Sequence, residues 1–277
     1  MRFLVLAVLV FCSSALRAED SIPYVSRDGS DLLLDIHLPE ESEGELYPTI
    51  LWIHGGGWRQ GSKENWKLLD WLPKNGFAVV SINYRLTNTA PFPAQIQDCV
   101  SALEWLEKHG REHKIDTECL YVAGLSAGAH LASLLGTSGN HFAKEGTSLP
   151  SIRGILHFFG PSDFISMMKY AKQPTDTLNT AKSPVYGLLG GPLRENESLA
   201  REASPVTYLD ASDPPLLILV GTADSLMTQR QCKRLNNVAQ DTGITSSIHT
   251  IEGAGHGGPE FKDDTRQKLI LQFLTSS

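Results

Sequence analysis

The chain has 277 residues, 41% of them hydrophobic, enough for one large core or two small ones. Its formal charge is −7, from 24 basic and 31 acidic residues, and the sequence reads as an acidic surface without basic clusters; that balance argues against nucleic acid or anionic lipid as a partner. Four cysteines at wide spacing form neither a disulfide framework nor a zinc pattern, so stability has to come from the core.

The opening "MRFLVLAVLVFCSSALRAED" puts Arg2 before an apolar run from Phe3 to Phe11, then small residues as far as Ala18. This order predicts a secretory signal peptide over residues 1–18, cleaved after Ala18, and a secreted or periplasmic location. A membrane anchor is the weaker alternative, because the apolar run is short for a bilayer. Removing the leader takes away Arg2 and Arg17, leaving 22 basic against 31 acidic residues and a charge of −9. Cys99, Cys119 and Cys232 then remain, and buried free thiols are expected.

Residues 19–277 read as one domain. Apolar runs bounded by turn residues recur at 32–39, 49–56, 77–84, 119–125, 152–160, 215–222 and 246–253. Several are almost continuously apolar, which predicts strands buried on both faces, as in a parallel sheet covered by helices. Helical patterns lie between them. Residues 94–110 place Ile96, Val100, Leu103 and Leu106 on one face, 225–240 carry Leu226, Leu235 and Val238, and "DDTRQKLILQFLTSS" closes the chain. Strand–helix alternation means α/β, with one doubly wound sheet whose earliest strands, lacking a long helix between them, are antiparallel. Residues 163–210 break the rhythm with scattered Pro and Gly, and read either as a cap over a site or as an inert surface excursion.

Chemistry enters at "YVAGLSAGAH" (121–130). Gly124-Leu125-Ser126-Ala127-Gly128 falls where a buried strand gives way to a helix, a turn that lifts the serine out of the sheet and needs small residues two places either side. Serine is a poor nucleophile without a base, and the base needs a carboxylate to fix its tautomer. Asp224 follows the strand "PLLILVGT", and His256 sits in "EGAGHGG" after the last strand, giving the order Ser…Asp…His. The bland alternative for Asp224 is a helix cap. Asp210 and Asp213 precede their strand and lie at the wrong edge. For the oxyanion, "HGGGW" ends another strand, and the N–H groups of Gly56, Gly57 and Ala127 are the candidate donors. His54 reads as a brace for that loop; Trp58 either walls the pocket or packs. His109 and His113 lack a third ligand and read as solvated histidines rather than a metal site.

The motifs "DLLLDIHLP", "HGGGW", "NYRL", "FPAQIQDCVSALEWL", "GLSAGAHLAS", "FFGPSDF" and "GAGHGG" resemble a family, the secreted α/β-hydrolase esterases of the hormone-sensitive-lipase-like and BD-FAE (bifunctional feruloyl and acetyl xylan esterase) groups. The resemblance covers roughly residues 28–275. It implies a mainly parallel eight-stranded sheet with helices on both faces, Ser126 as nucleophile, His256 as base and then acid, and Asp224 as the carboxylate. Arg85 and Asp98 match positions that look structural in the family and read as an internal ion pair, with a substrate contact as the alternative. The departures are "LVGTAD", where relatives carry a histidine before the glycine, and "SLMT" in place of "PLVP". The expectation is a serine esterase needing no cofactor or metal, acting on a small-molecule or carbohydrate ester such as an acetyl or feruloyl polysaccharide. An amidase, formamidase or peptidase on the same triad is the rival enzyme, and a non-catalytic binding protein on this scaffold the rival class. Trp58, Trp66 and Trp71 are candidate exposed aromatics for a sugar chain.

Overall fold

In a computed structural model the protein is described over residues 17–40, 46–170, 173 and 175–276, so the predicted leader lies outside the described residues except for its last two. Eight strands form one sheet: β1 (Arg17–Arg27), β2 (Ser30–Leu38), β3 (Tyr47–Ile53), β4 (Ala78–Ile82), β5 (Ile115–Leu125), β6 (Ile152–Phe158), β7 (Leu216–Gly221) and β8 (Ser246–Ile251). Their spatial order is β1-β2-β4-β3-β5-β6-β7-β8. The β1–β2 and β2–β4 pairs are antiparallel, and every pair from β4 to β8 is parallel. All seven expected strands are present. β1 is the addition, and its first residues, Arg17 and Ala18, pair with Leu38 and His37.

The helices are α1 (Ala94–His109), α2 (Ala127–Phe142), α3 (Phe164–Met167), α4 (Pro184–Leu189), α5 (Glu197–Glu202), α6 (Leu226–Asp241) and α7 (Asp264–Ser276). β6 shows how they are layered. A methyl at Gly154 would press on Phe273 of α7, while the next residue, Ile155, reaches Gly136 of α2. Successive strand residues face opposite ways, so α2 and α7 cover opposite faces. The fully buried runs of β4 and β7 follow from that double cover. On α1 the buried ridge is Ile96, Cys99, Val100, Leu103 and Leu106; on α6 it is Gln231, Cys232, Leu235, Asn236 and Ala239, with Val238 on its flank.

Several local expectations are corrected. Cys99 and Cys232 are buried free thiols, but Cys119 is only half-buried. Trp58 and Trp71 are buried and the half-buried Trp66 stacks on His37 at 3.6 Å, so the three do not form an exposed aromatic cluster. Arg85 does pair with Asp98. Its Nε and Nη2 donate to the two carboxylate oxygens at 2.9 and 2.8 Å, its backbone N–H donates at 2.9 Å, and Arg27 Nε adds a fourth bond at 3.1 Å. The Asp98 side chain is wholly buried, and the carboxylate raises the Arg85 pKa further.

Candidate active site

Parallel strands end at one edge, and that edge assembles the site. Ile53 of β3 is level with Gly124 of β5, Leu125 with Phe158 of β6, Phe158 with Leu219 of β7, and Gly221 with Ile251 of β8. The segments that follow β3, β5, β7 and β8 hold Gly55–Gly57, Ser126, Asp224 and His256. Residues distant in sequence therefore meet outside the carboxyl ends of the strands, where open α/β sheets place ligands.

Ser126 has φ 53° and ψ −117°, a strained conformation for a residue with a side chain. Its N–H donates to Phe158 O at 2.8 Å, and the turn closes directly into α2. The close crossing explains the flanking glycines: a methyl at Gly128 would sit 2.0 Å from Ile53 O, and one at Gly124 2.4 Å from the Gly128 backbone. His256 Nδ1 lies 2.8 Å from Asp224 Oδ2, and Nε2 lies 2.9 Å from Ser126 Oγ. A carboxylate only accepts, so the ring proton belongs on Nδ1 and Nε2 is left to accept the serine proton. The Asp224 side chain is 2% exposed and its Oδ1 accepts the Ser225 N–H at 2.5 Å. Ser225, not Asp224, caps α6 by accepting the Thr228 N–H, which removes the cap as an explanation for Asp224. Phe159, with φ +44°, packs edge-on against the His256 ring at 4.8 Å.

Donors converge beside Ser126. The Ala127 N–H is in the first turn of α2, where helices leave amides without an internal partner. Among the described residues neither Gly56 nor Gly57 donates its N–H to a protein partner. Gly56, at φ +106°, has no room for a side chain, since a methyl would meet Gln60 O at 2.0 Å. His54 braces this loop as expected: Nδ1 bonds Gly55 O at 2.7 Å, Tyr84 stacks on the ring at 4.3 Å, and burial lowers its pKa to about 4.

Trp58 both walls the pocket and packs. Its Nε1–H donates to His130 Nδ1 at 3.2 Å, and His130 Nε2–H donates to Ala203 O at 2.6 Å. Burial lowers the His130 pKa to about 4, so a neutral ring links the glycine loop after β3, α2 and the 163–210 excursion. Sequence reading missed His130; its place one helical turn after Ser126 was the available signal.

Two hollows flank Ser126 and His256. One is an apolar cavity of about 180 Å³ walled by Trp58, Met167, Leu178, Val185 and Met227, with Gln231 at its base. The other is an open cleft of about 370 Å³ lined by Gly56, Arg59, Gln60 and Gly257. Leu178, Val185 and Met227 were not foreseen beside Ser126, because their meeting depends on how an irregular segment folds back over the sheet.

A sheet of this order, with a nucleophile turn after β5 and its partners after β7 and β8, defines the α/β-hydrolase fold. Within that fold the chain belongs to the BD-FAE family, whose profile matches residues 34–238. A truncated carbohydrate esterase from gut microbiota superimposes with TM-score 0.81 at 29% identity, over 94% of this chain and 95% of that one. A bifunctional GH43-CE from Bacteroides eggerthii gives TM-score 0.81 at 26% identity, over 93% of this chain but 35% of the other. Esterase LipQ of Mycobacterium tuberculosis is 26% identical over 260 residues, spanning 92% of this chain and 60% of LipQ.

Proposed function

We propose that this protein is a serine carboxylesterase acting through an acyl-enzyme on short-chain esters carried by carbohydrate. The observation that carries the reading is the unbroken relay Asp224–His256–Ser126, at 2.8 and 2.9 Å. His256 Nε2 takes the hydroxyl proton as Ser126 Oγ attacks the ester carbonyl. The oxyanion is held by the amides of Gly56, Gly57 and Ala127, and Asp224 stabilises the imidazolium. Collapse passes the proton to the leaving alcohol; water, activated by the same ring, then releases the acid. The 163–210 segment serves as the cap, walling the acyl side.

The hollows support the substrate class. A cavity of about 180 Å³ is below the usual range for drug-sized ligands and suits an acetyl or similarly small acyl group. The larger cleft, with Arg59 and Gln60, suits a polar alcohol such as a sugar. The similarity to proteins described as carbohydrate esterases points the same way. The test is turnover of acetylated xylo-oligosaccharides, methyl ferulate, formanilide and nitrophenyl esters of graded length by the wild type and Ser126→Ala. Short acyl esters should be fastest and Ser126→Ala inactive; an amide cleaved faster than every ester would replace this reading with an amidase.

The leader of residues 1–18 supports export of the mature chain. Cleavage after Ala18 costs β1 only its first two of 11 residues. N-terminal sequencing of the mature chain checks this, Glu19 being the expected first residue.

A further inference from the structure

One surface departs from the acidic character of the chain. Between the segment 163–170 and α6 lies a groove of about 460 Å³ that gathers Lys169, Arg230, Lys233 and Arg234. The sequence-level picture of a surface without basic clusters is corrected here, since Lys169 joins the α6 cations only through folding. Arg230, Lys233 and Arg234 stand at helical spacing, one turn apart, a like-charge arrangement that weakens a helix unless something negative answers it. Asp163 answers one: Arg234 Nε donates to its Oδ2 at 3.0 Å, while Oδ1 caps α3. Lys169, Arg230 and Lys233 pair with no carboxylate among the described residues.

The same groove holds the one large hydrophobic side chain that is strongly exposed among the described residues, Tyr170, at 47%. The Arg230 guanidinium sits over its ring, 4.5 Å from the centre, a cation–π contact that ties Tyr170 to α6. Gln231 then connects this surface to the catalytic one. Its side chain accepts the N–H groups of Ser162 and Asp163 at 2.9 and 2.6 Å and donates to Ser166 Oγ at 2.9 Å. This buried residue lines both the groove and the cavity beside Ser126, so the two lie back to back.

We propose that the groove is a binding site for an anionic polysaccharide, a uronate-bearing stretch of the glycan whose esters Ser126 cleaves; the identity of the ligand as carbohydrate rests on the esterase reading. Tyr170 offers the exposed part of its ring face for a sugar to stack on, and Lys169, Arg230 and Lys233 meet carboxylates spaced along the chain. A duplex nucleic acid fits less well. It carries a charge every ~1.7 Å and would run on from a short groove over a surface of net negative charge. A uronan carries at most one charge per sugar.

The test is calorimetric titration of the full chain carrying Ser126→Ala, with oligogalacturonate, a neutral xylo-oligosaccharide of equal length and a short DNA duplex, at low and high salt. Oligogalacturonate should bind at least about tenfold more tightly than the neutral sugar, and salt should weaken it. The double variant Arg230→Ala/Lys233→Ala should weaken binding by about tenfold or more, and Tyr170→Ala by severalfold, equivalent for tenfold to about 1.4 kcal/mol. All three side chains are exposed, and the same changes in an otherwise wild-type chain should leave nitrophenyl acetate turnover unchanged. Neutral sugar binding as well as the acidic one, duplex binding more tightly than either, or variants with unaltered affinity would each overturn the proposal. Groove binding without ester turnover by the wild type would remove the esterase reading alone; turnover without groove binding would remove this one alone.

Discussion

Ser126 is held in a strained turn by neighbours that cannot move: the Phe158 carbonyl takes its amide, and Gly128 lies against Ile53 O. Under the esterase reading, such over-determination fixes the hydroxyl before any substrate arrives, so little reorganisation remains for the chemical step. Asp224 fixes the imidazole in the same way. Asp224→Asn presents an amide donor where Nδ1–H needs an acceptor, and the ring is driven to the wrong tautomer. The expected outcome is a fall in kcat of about 10⁴-fold with little change in KM and an unaltered circular dichroism spectrum. A loss below about tenfold in steady-state kinetics would mean that another carboxylate carries the role. That Ser126, Asp224 and His256 would meet was legible in the sequence because each lies within a few residues of the end of a strand, and parallel strands end at one edge. His130 was passed over: its place one turn after Ser126 marks its helix face, but its bonds go to Trp58 and Ala203, 72 and 73 residues away.

At the level of elements, Asp98 ties three pieces together. It sits on α1 and accepts from Arg27 at the end of β1 and from Arg85 after β4. Removing one partner of a buried pair strands a charge, which typically costs 3–5 kcal/mol. Since Arg27 remains, Arg85→Ala is expected to cost about 3 kcal/mol by urea denaturation, and Arg85→Lys to recover only part, because an ammonium cannot span both oxygens. Equal stability of wild type and Arg85→Ala would show that Arg27 suffices. Strand β1 itself escaped sequence reading for a physical reason. "RAEDSIPYVSR" has no apolar run, for it is an edge strand paired only to β2 and largely solvated. The cationic groove escaped for the complementary reason, its parts lying on α6 and on the segment after α3.

For the molecule as a whole, three buried histidines set the response to acid. Burial lowers His54, His130 and His157 each to about 4, against about 6.5 in an unfolded chain. Between those values the unfolded state binds protons that the folded state refuses, so stability is full above about pH 6.5 and is lost as pH falls towards 4. Asp213 works in the opposite sense: burial raises its carboxyl to about 6, and acid relieves that penalty. Three groups outweigh one. The Tm is therefore expected to be flat above about pH 7 and to decline on acidification, with a loss on the order of a few kcal/mol by pH 5. A Tm that holds steady from pH 7 to 5 would show that these rings are protonated without penalty.

The division of labour between sheet edge and excursion also bears on how such a protein diversifies. On either side of Ser126 the backbone refuses even a methyl group, as at Gly124 and Gly128. The apolar walls of the neighbouring cavity, Met167, Leu178 and Val185, come from the irregular segment between β6 and β7. Exchanging those walls would reshape the cavity and leave the turn that carries Ser126 untouched.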